Sequence, residues 1–89
     1  MRVFEQMTIT FKLYAGLSEY LPEGATRNST QIELQPGDTV NQVIDRCQVP
    51  RDLAHLVMLN GIYLATDQRD QSQLKTGDTL AIWPPVAGG

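Results

Sequence analysis

Residues 36–47 read PGDTVNQVIDRC, and this stretch decides the kind of fold. Pro36-Gly37-Asp38 is a turn signal. Thr39 followed three residues later by Gln42 has the spacing of a capping box, in which each residue satisfies a free N–H at the start of a helix. Val40, Val43, Ile44 and Cys47 then recur at i, i+3, i+4 and i+7, the apolar stripe of one amphipathic helix. Pro50 is expected to end it. A lone helix buries such a stripe by covering one face of a sheet.

The flanks supply the sheet. Residues 8–14, TITFKLY, alternate, with Ile9, Phe11 and Leu13 on one face and Thr8, Thr10, Lys12 and Tyr14 on the other. Residues 15–21 read as a short helical turn or loop, and residues 22–29 as a surface connection. Residues 30–34 alternate again through Ile32 and Leu34, which predicts an antiparallel pair with the first strand. Residues 55–59, HLVML, form an apolar strand. Asn60-Gly61 then separates it from IYLA, as a two-residue hairpin with two positive φ angles demands. Residues 66–73 are polar and turn-like, with a helical turn expected at their end. After a turn at residues 74–78, residues 79–83 make the last strand. The order is β-β-α-β-β-β, an α+β domain with a mixed sheet on one main helix and no internal repeat.

Composition narrows the function classes. The 89 residues form one domain, with 42% apolar and 19% charged residues. Residues 1–7 read as an N-terminal extension, residues 8–83 as the folded domain and residues 84–89 as a flexible tail. Seven basic residues are scattered against ten acidic ones, for a net charge of −3. That disfavours a nucleic-acid partner, which needs a basic stripe. No apolar run approaches the roughly 18 residues of a membrane span. One cysteine permits neither an internal disulfide nor a four-thiolate cluster, and suits a cytoplasmic protein.

The usual chemical groups do not assemble into a catalytic motif, and no metal site is expected. His55 is the only histidine and has no partner near it in sequence. Cys47 lies on the apolar stripe, where free cysteine behaves as a small core residue. Asp38 and Asp78 each follow a glycine in a turn, and local hydrogen bonding accounts for both. No phosphate-binding glycine loop occurs.

The tail is different. The chain ends WPPVAGG, residues 83–89. Pro84 lacks an N–H and stops a strand ladder. Pro84-Pro85 favours extended polyproline geometry, directing the chain off the globule. Residues 84–89 span about 20 Å when extended. Gly88 and Gly89 have no Cβ, so the backbone near the carboxylate fits a narrow channel. Alternation puts Trp83 with Thr79 and Ala81, opposite Leu80 and Ile82. If Leu80 and Ile82 face the core, Trp83 faces outward and suits an interface anchor.

These features together resemble the ubiquitin-like sulfur carriers of the MoaD/ThiS family. The residues that carry the likeness are YAGLSEYL after the first strand, PGDTV before the helix, VMLNG, LKTGDTLAI and the terminal WPPVAGG, spread over residues 7–89. The resemblance implies a β-grasp fold and a non-catalytic role. It implies that an E1-like adenylating enzyme activates the Gly89 carboxylate with ATP, and that the resulting acyl-adenylate becomes a thiocarboxylate. The carrier itself would bind no cofactor. A second enzyme would accept the sulfur. The Pro-Pro step resembles the molybdopterin carriers most, which implies the molybdopterin synthase large subunit as partner. Trp83, Pro84, Pro85, Val86 and Ala87 would then contact partners, and Gly88 and Gly89 would carry the chemistry. Carriers for thiamine thiazole, cysteine or tungsten-cofactor synthesis have similar ends, as do ubiquitin-like protein modifiers. A plain interaction module with an incidental glycine tail is the third alternative. One cysteine rules out the ligand set of a β-grasp ferredoxin.

Overall fold

The alternation in TITFKLY becomes strand β1, Thr8–Leu13, with Ile9, Phe11 and Leu13 buried and the residues between them partly exposed. The computed structural model describes residues 7–22, 24–25 and 27–85. Strand β2 (Ser29–Glu33), helix α1 (Val40–Arg46) and strands β3 (Leu56–Leu59), β4 (Ile62–Tyr63) and β5 (Thr79–Trp83) follow. The five strands form one sheet in the order β2-β1-β5-β3-β4. β1 runs antiparallel to β2 and parallel to β5, while β3 is antiparallel to both β5 and β4. The first and last strands therefore lie side by side in the middle of the sheet. This is the expected mixed sheet on one main helix, the β-grasp arrangement.

α1 covers one face of that sheet. Its Val40, Val43 and Ile44 are fully buried against Ile9, Phe11, Leu13, Val57, Leu80 and Ile82. Full burial of such a side chain contributes about 1.5–3 kcal/mol, so this layer dominates the stability. The capping box forms as read: Thr39 Oγ1 accepts the Gln42 N–H at 3.3 Å, and Gln42 Oε1 accepts the Thr39 N–H at 2.8 Å.

The helix ends sooner than expected, and not at Pro50. Gln48 adopts a left-handed conformation with φ of +62°. Its N–H donates to the Asp45 carbonyl at 2.9 Å, and the Val49 N–H donates to the Ile44 carbonyl at 3.1 Å. This pair of bonds is a Schellman motif, with Val49 and Ile44 both in the core cluster behind it. Pro50 instead opens a 3₁₀ turn over Arg51–Leu53.

Other boundaries shift too. The second strand starts one residue early, at Ser29, and the third begins at Leu56 rather than His55. Of IYLA, only Ile62 and Tyr63 are strand; Leu64 is in the core cluster, and its N–H still donates to the Val57 carbonyl of β3 at 2.9 Å. The helical turn within residues 66–73 lies at the start, Thr66–Gln68, where Gln68 Oε1 accepts the Ala65 N–H at 2.8 Å. The hairpin matches its signal, with φ of +53° at Asn60 and +82° at Gly61.

Residues 34–40, LQPGDTV, and 74–80, LKTGDTL, adopt one turn twice, a local repeat that reading the chain for long repeats passes over. In each, a buried leucine precedes the turn and a buried aspartate closes it. The Asp38 carboxylate accepts the Gln35 N–H at 2.7 Å, and the Asp78 carboxylate accepts the Lys75 N–H at 2.9 Å. Gly37 and Gly77 have φ of +85° and +91°, which a type II turn requires at its third position. The turns also touch: the Leu74 N–H donates to the Asp38 carbonyl at 2.8 Å.

Candidate functional site

Strand β5 ends where the proline step begins. Trp83 pairs with Leu56 of β3, and its carbonyl accepts the His55 N–H at 3.1 Å. On the other side, the Tyr14 N–H donates to the Ile82 carbonyl at 3.0 Å. Pro84 has no N–H to continue the ladder. It is half-buried, and Pro85 is exposed. Val86, Ala87, Gly88 and Gly89, expected to form the working end, lie outside the described residues.

Trp83 is on the outer face, as the alternation predicts, and is half-buried there rather than bare. Its ring stacks on Tyr14 with centroids 4.5 Å apart and planes 5° from parallel. Residues paired directly across strands share a face, so the register maps its surroundings. Leu56 flanks Trp83, and the next row runs Tyr63, Met58, Ala81, Lys12 and Ser29. Beyond lie Thr79, Thr10 and Gln31, with Gln31 Nε2 donating to Thr10 Oγ1 at 2.6 Å. The face thus grades from apolar at the chain's exit to polar at the other end. Tyr63 is 54% exposed on it. Ile62, 68% exposed, projects on the helix side of the hairpin beside Leu59.

The sequence reading identified Trp83 but missed Tyr14, Leu56, Met58 and Tyr63 around it. A signal existed. HLVML is apolar without alternation, so both faces of that strand need cover, and one helix covers only one.

The remaining candidates lie elsewhere. His55 is exposed. Cys47 is half-buried at the end of α1, and burial pushes its thiol up, which disfavours a reactive thiolate. A hydrogen bond from Arg46 lowers the Asp38 carboxyl, and one from Arg51 lowers that of Asp45. Burial pushes Asp78 up, but donors from Asn60 and Lys75 outweigh it and leave its carboxyl lowered. The aspartates in the two turns are therefore structural charges. Among the described residues, no group of three or more His, Cys, Asp or Glu side chains could hold a metal ion. Among them, too, no helix is long and apolar enough to cross a membrane.

Arg69 was also missed, since nothing in a polar loop marks it for burial. It is 5% exposed. Its guanidinium donates to the main-chain carbonyls of Ala54 at 2.8 Å, His55 at 3.1 Å and Leu64 at 3.2 Å.

Comparison with known proteins fits this picture. The ThiS family model matches residues 12–89. No curated protein matches the chain. Among solved structures, it is similar to small archaeal modifier protein 1 of Haloferax volcanii, with a TM-score of 0.64 and 24% identity, over 92% of this chain and 99% of that one. A putative molybdopterin converting factor subunit 1 of Pyrococcus furiosus gives 0.63 and 22%, over 89% and 98% of the two chains. The thiamine biosynthesis protein ThiS of Geobacter metallireducens gives 0.58 and 18%, over 90% and 99%. At these identities the structures establish the shared fold.

Proposed function

The chain belongs to the ThiS family of ubiquitin-like sulfur carriers and modifiers, and on that premise we propose that it carries sulfur on Gly89 for molybdopterin synthesis. One observation carries the reading. The last strand delivers the chain through Trp83 into Pro84 at the apolar end of an open sheet face, so one end of the molecule offers both a docking surface and the root of the tail. The Trp83-Pro84-Pro85 step supports the molybdopterin pathway over the related ones.

In this scheme the carrier catalyses nothing. On the E1-like enzyme, an oxygen of the Gly89 carboxylate attacks the α-phosphorus of ATP, forming a mixed anhydride and releasing pyrophosphate. A hydrosulfide equivalent then displaces AMP and leaves sulfur in place of one oxygen. A carboxylate is a poor electrophile, and the anhydride supplies the leaving group it lacks. Docking through Trp83, Pro84, Pro85, Val86 and Ala87 holds the terminus near the reacting groups and raises its effective concentration. The sulfur-accepting partner is the large subunit of molybdopterin synthase. No bound cofactor is required of the carrier, and ATP is consumed by its partner.

Intact-mass spectrometry tests this directly. After incubation with the activating enzyme, ATP and a sulfur source, the chain is expected to gain the mass of one oxygen-to-sulfur exchange, mapped to Gly89. An unchanged mass rejects the carrier role. Isopeptide adducts between Gly89 and lysines, without thiocarboxylate, replace it with a protein modifier.

A further inference from the structure

Arg69 lies far along the chain from the tail, yet its contacts lead there. Its guanidinium is fixed by the carbonyls of Ala54, His55 and Leu64. Removing such a group from water costs several kcal/mol, so a buried arginine needs all of its contacts to be well made. Its planar fork of donors can meet three separate acceptors at once, which a lysine cannot do in the same geometry.

The same His55 residue makes the next link. Its carbonyl accepts from Arg69, and its N–H donates to the Trp83 carbonyl. His55 immediately precedes β3 and Pro84 supplies no N–H, so this bond ties the end of β5 down just before the proline step. The carbonyl of Arg69 is held in turn by the Asn41 N–H at 3.3 Å, and the Asn41 side chain donates to Asp70 at 2.8 Å. Arg69 is thereby braced against the start of α1 while it grips the start of β3.

We propose that Arg69 is a positioning residue for the sulfur-carrying terminus, acting through the His55 backbone to set the direction in which the chain leaves Trp83. The proposal rests on the carrier reading above. Two prolines transmit the orientation of their root over about 6 Å of stiff chain. A tilt of about 10° at Trp83 then moves Pro85 by about 1 Å, and a displacement of that size at the root of the tail can cost up to about 100-fold in rate. Arg69 touches neither the apolar face nor the tail itself, and that face supplies most of the docking surface, so the loss falls mainly on turnover.

The test uses the full chain with Arg69→Met, Arg69→Lys and His55→Pro, the last removing the N–H that donates to the Trp83 carbonyl. ATP–pyrophosphate exchange with the activating enzyme reads KM and kcat. Amide hydrogen exchange reads the His55 N–H against those of Met58 and Ile82. Arg69→Met is expected to lower kcat by about tenfold or more with KM within about twofold, and to speed exchange at His55 selectively. Arg69→Lys should recover little of either, since it keeps the charge without the fork. His55→Pro should reproduce the kcat loss with Arg69 intact, and if the Arg69 variants do not fold, an unchanged kcat in folded His55→Pro overturns the proposal. Unchanged kcat in folded variants, or equal loss of protection at all three amides, overturns the proposal and leaves Arg69 a purely structural brace. A wild-type chain that is never adenylated overturns the carrier reading instead, while the selective exchange at His55 still reports whether Arg69 holds the root of the tail.

Discussion

Tyr14 and Trp83, 69 positions apart in the chain, stack ring on ring with 4.5 Å between centroids where two parallel central strands end. The contact joins the exit from the first strand to the exit from the last, and it builds the apolar end of the open face. An aromatic pair of this kind is worth about 0.5–1.5 kcal/mol beyond the area it buries. A double-mutant cycle of Tyr14→Ala and Trp83→Ala in denaturant unfolding should return a coupling of that size. Additive effects would show that the stack contributes nothing of its own.

The face itself should be uneven in energy. Trp83→Ala is expected to weaken binding of the proposed sulfur-accepting partner by about 2 kcal/mol or more, as a central aromatic anchor does. Gln31→Ala, at the polar end of the same face, should change it by less than about 0.5 kcal/mol. Titration calorimetry of both variants checks the gradient, and equal losses would contradict it.

Removing Gly89 should separate delivery from docking. Partner binding and Tm are expected to stay close to wild type, because terminal residues contribute little to a core. Adenylation should disappear. A truncated chain that is still adenylated at the wild-type rate would show that the last glycine is dispensable.

Gln48 bears a conformational cost that glycine would not. An L-residue in the left-handed region is disfavoured by roughly 1–2 kcal/mol. Glycine recovers part of this but loses more freedom on folding. Gln48→Gly is therefore expected to stabilise the protein by about 0.5 kcal/mol in urea unfolding. A destabilisation would mean that the Gln48 side chain makes a contribution that outweighs its backbone conformation.

Acid should weaken the two aspartate turns. Hydrogen bonding to Arg46 lowers Asp38 below its ordinary value of 3.8. Asp78 is lowered as well, by Asn60 and Lys75 against the opposing effect of burial. Between the lowered folded pKa and the ordinary unfolded one, the unfolded chain binds more protons, so stability rises with pH there. The contribution is complete above the unfolded value and is lost as pH falls through the folded values. Unfolding measured from pH 6 down to pH 2 should show this loss below about pH 4. Asp38→Asn and Asp78→Asn should each flatten the curve, and a variant with the wild-type slope would remove that carboxylate from the account.

Much of this architecture was legible because it is local. The capping box at Thr39 and Gln42, the stripe through Val40, Val43 and Ile44, and the hairpin at Asn60-Gly61 each depend on residues within a few positions of one another. The end of the helix was not legible. Pro50 is a conspicuous breaker, but the Schellman motif closes earlier at Gln48, a residue type that carries no signal for the left-handed conformation. Of the candidate site, Trp83 and the proline step could be read directly. Tyr14, Leu56, Met58 and Tyr63 could not be placed beside Trp83 without the strand register.

What the amino-acid sequence determined by itself was the set of elements and the chemistry at the end of the chain: period-2 strands, one period-3.6 stripe, a donor-free proline step and a terminal glycine pair. These follow from backbone stereochemistry and from the side chain that each residue brings. The tertiary structure alone decided that the first and last strands are parallel neighbours, that the face left open by α1 is apolar where the tail departs, and that Arg69 is linked to Trp83 through His55. Such relations join residues far apart in the chain. They arise only when burying the helix stripe fixes the strand order and register, and no local pattern of residues records that outcome.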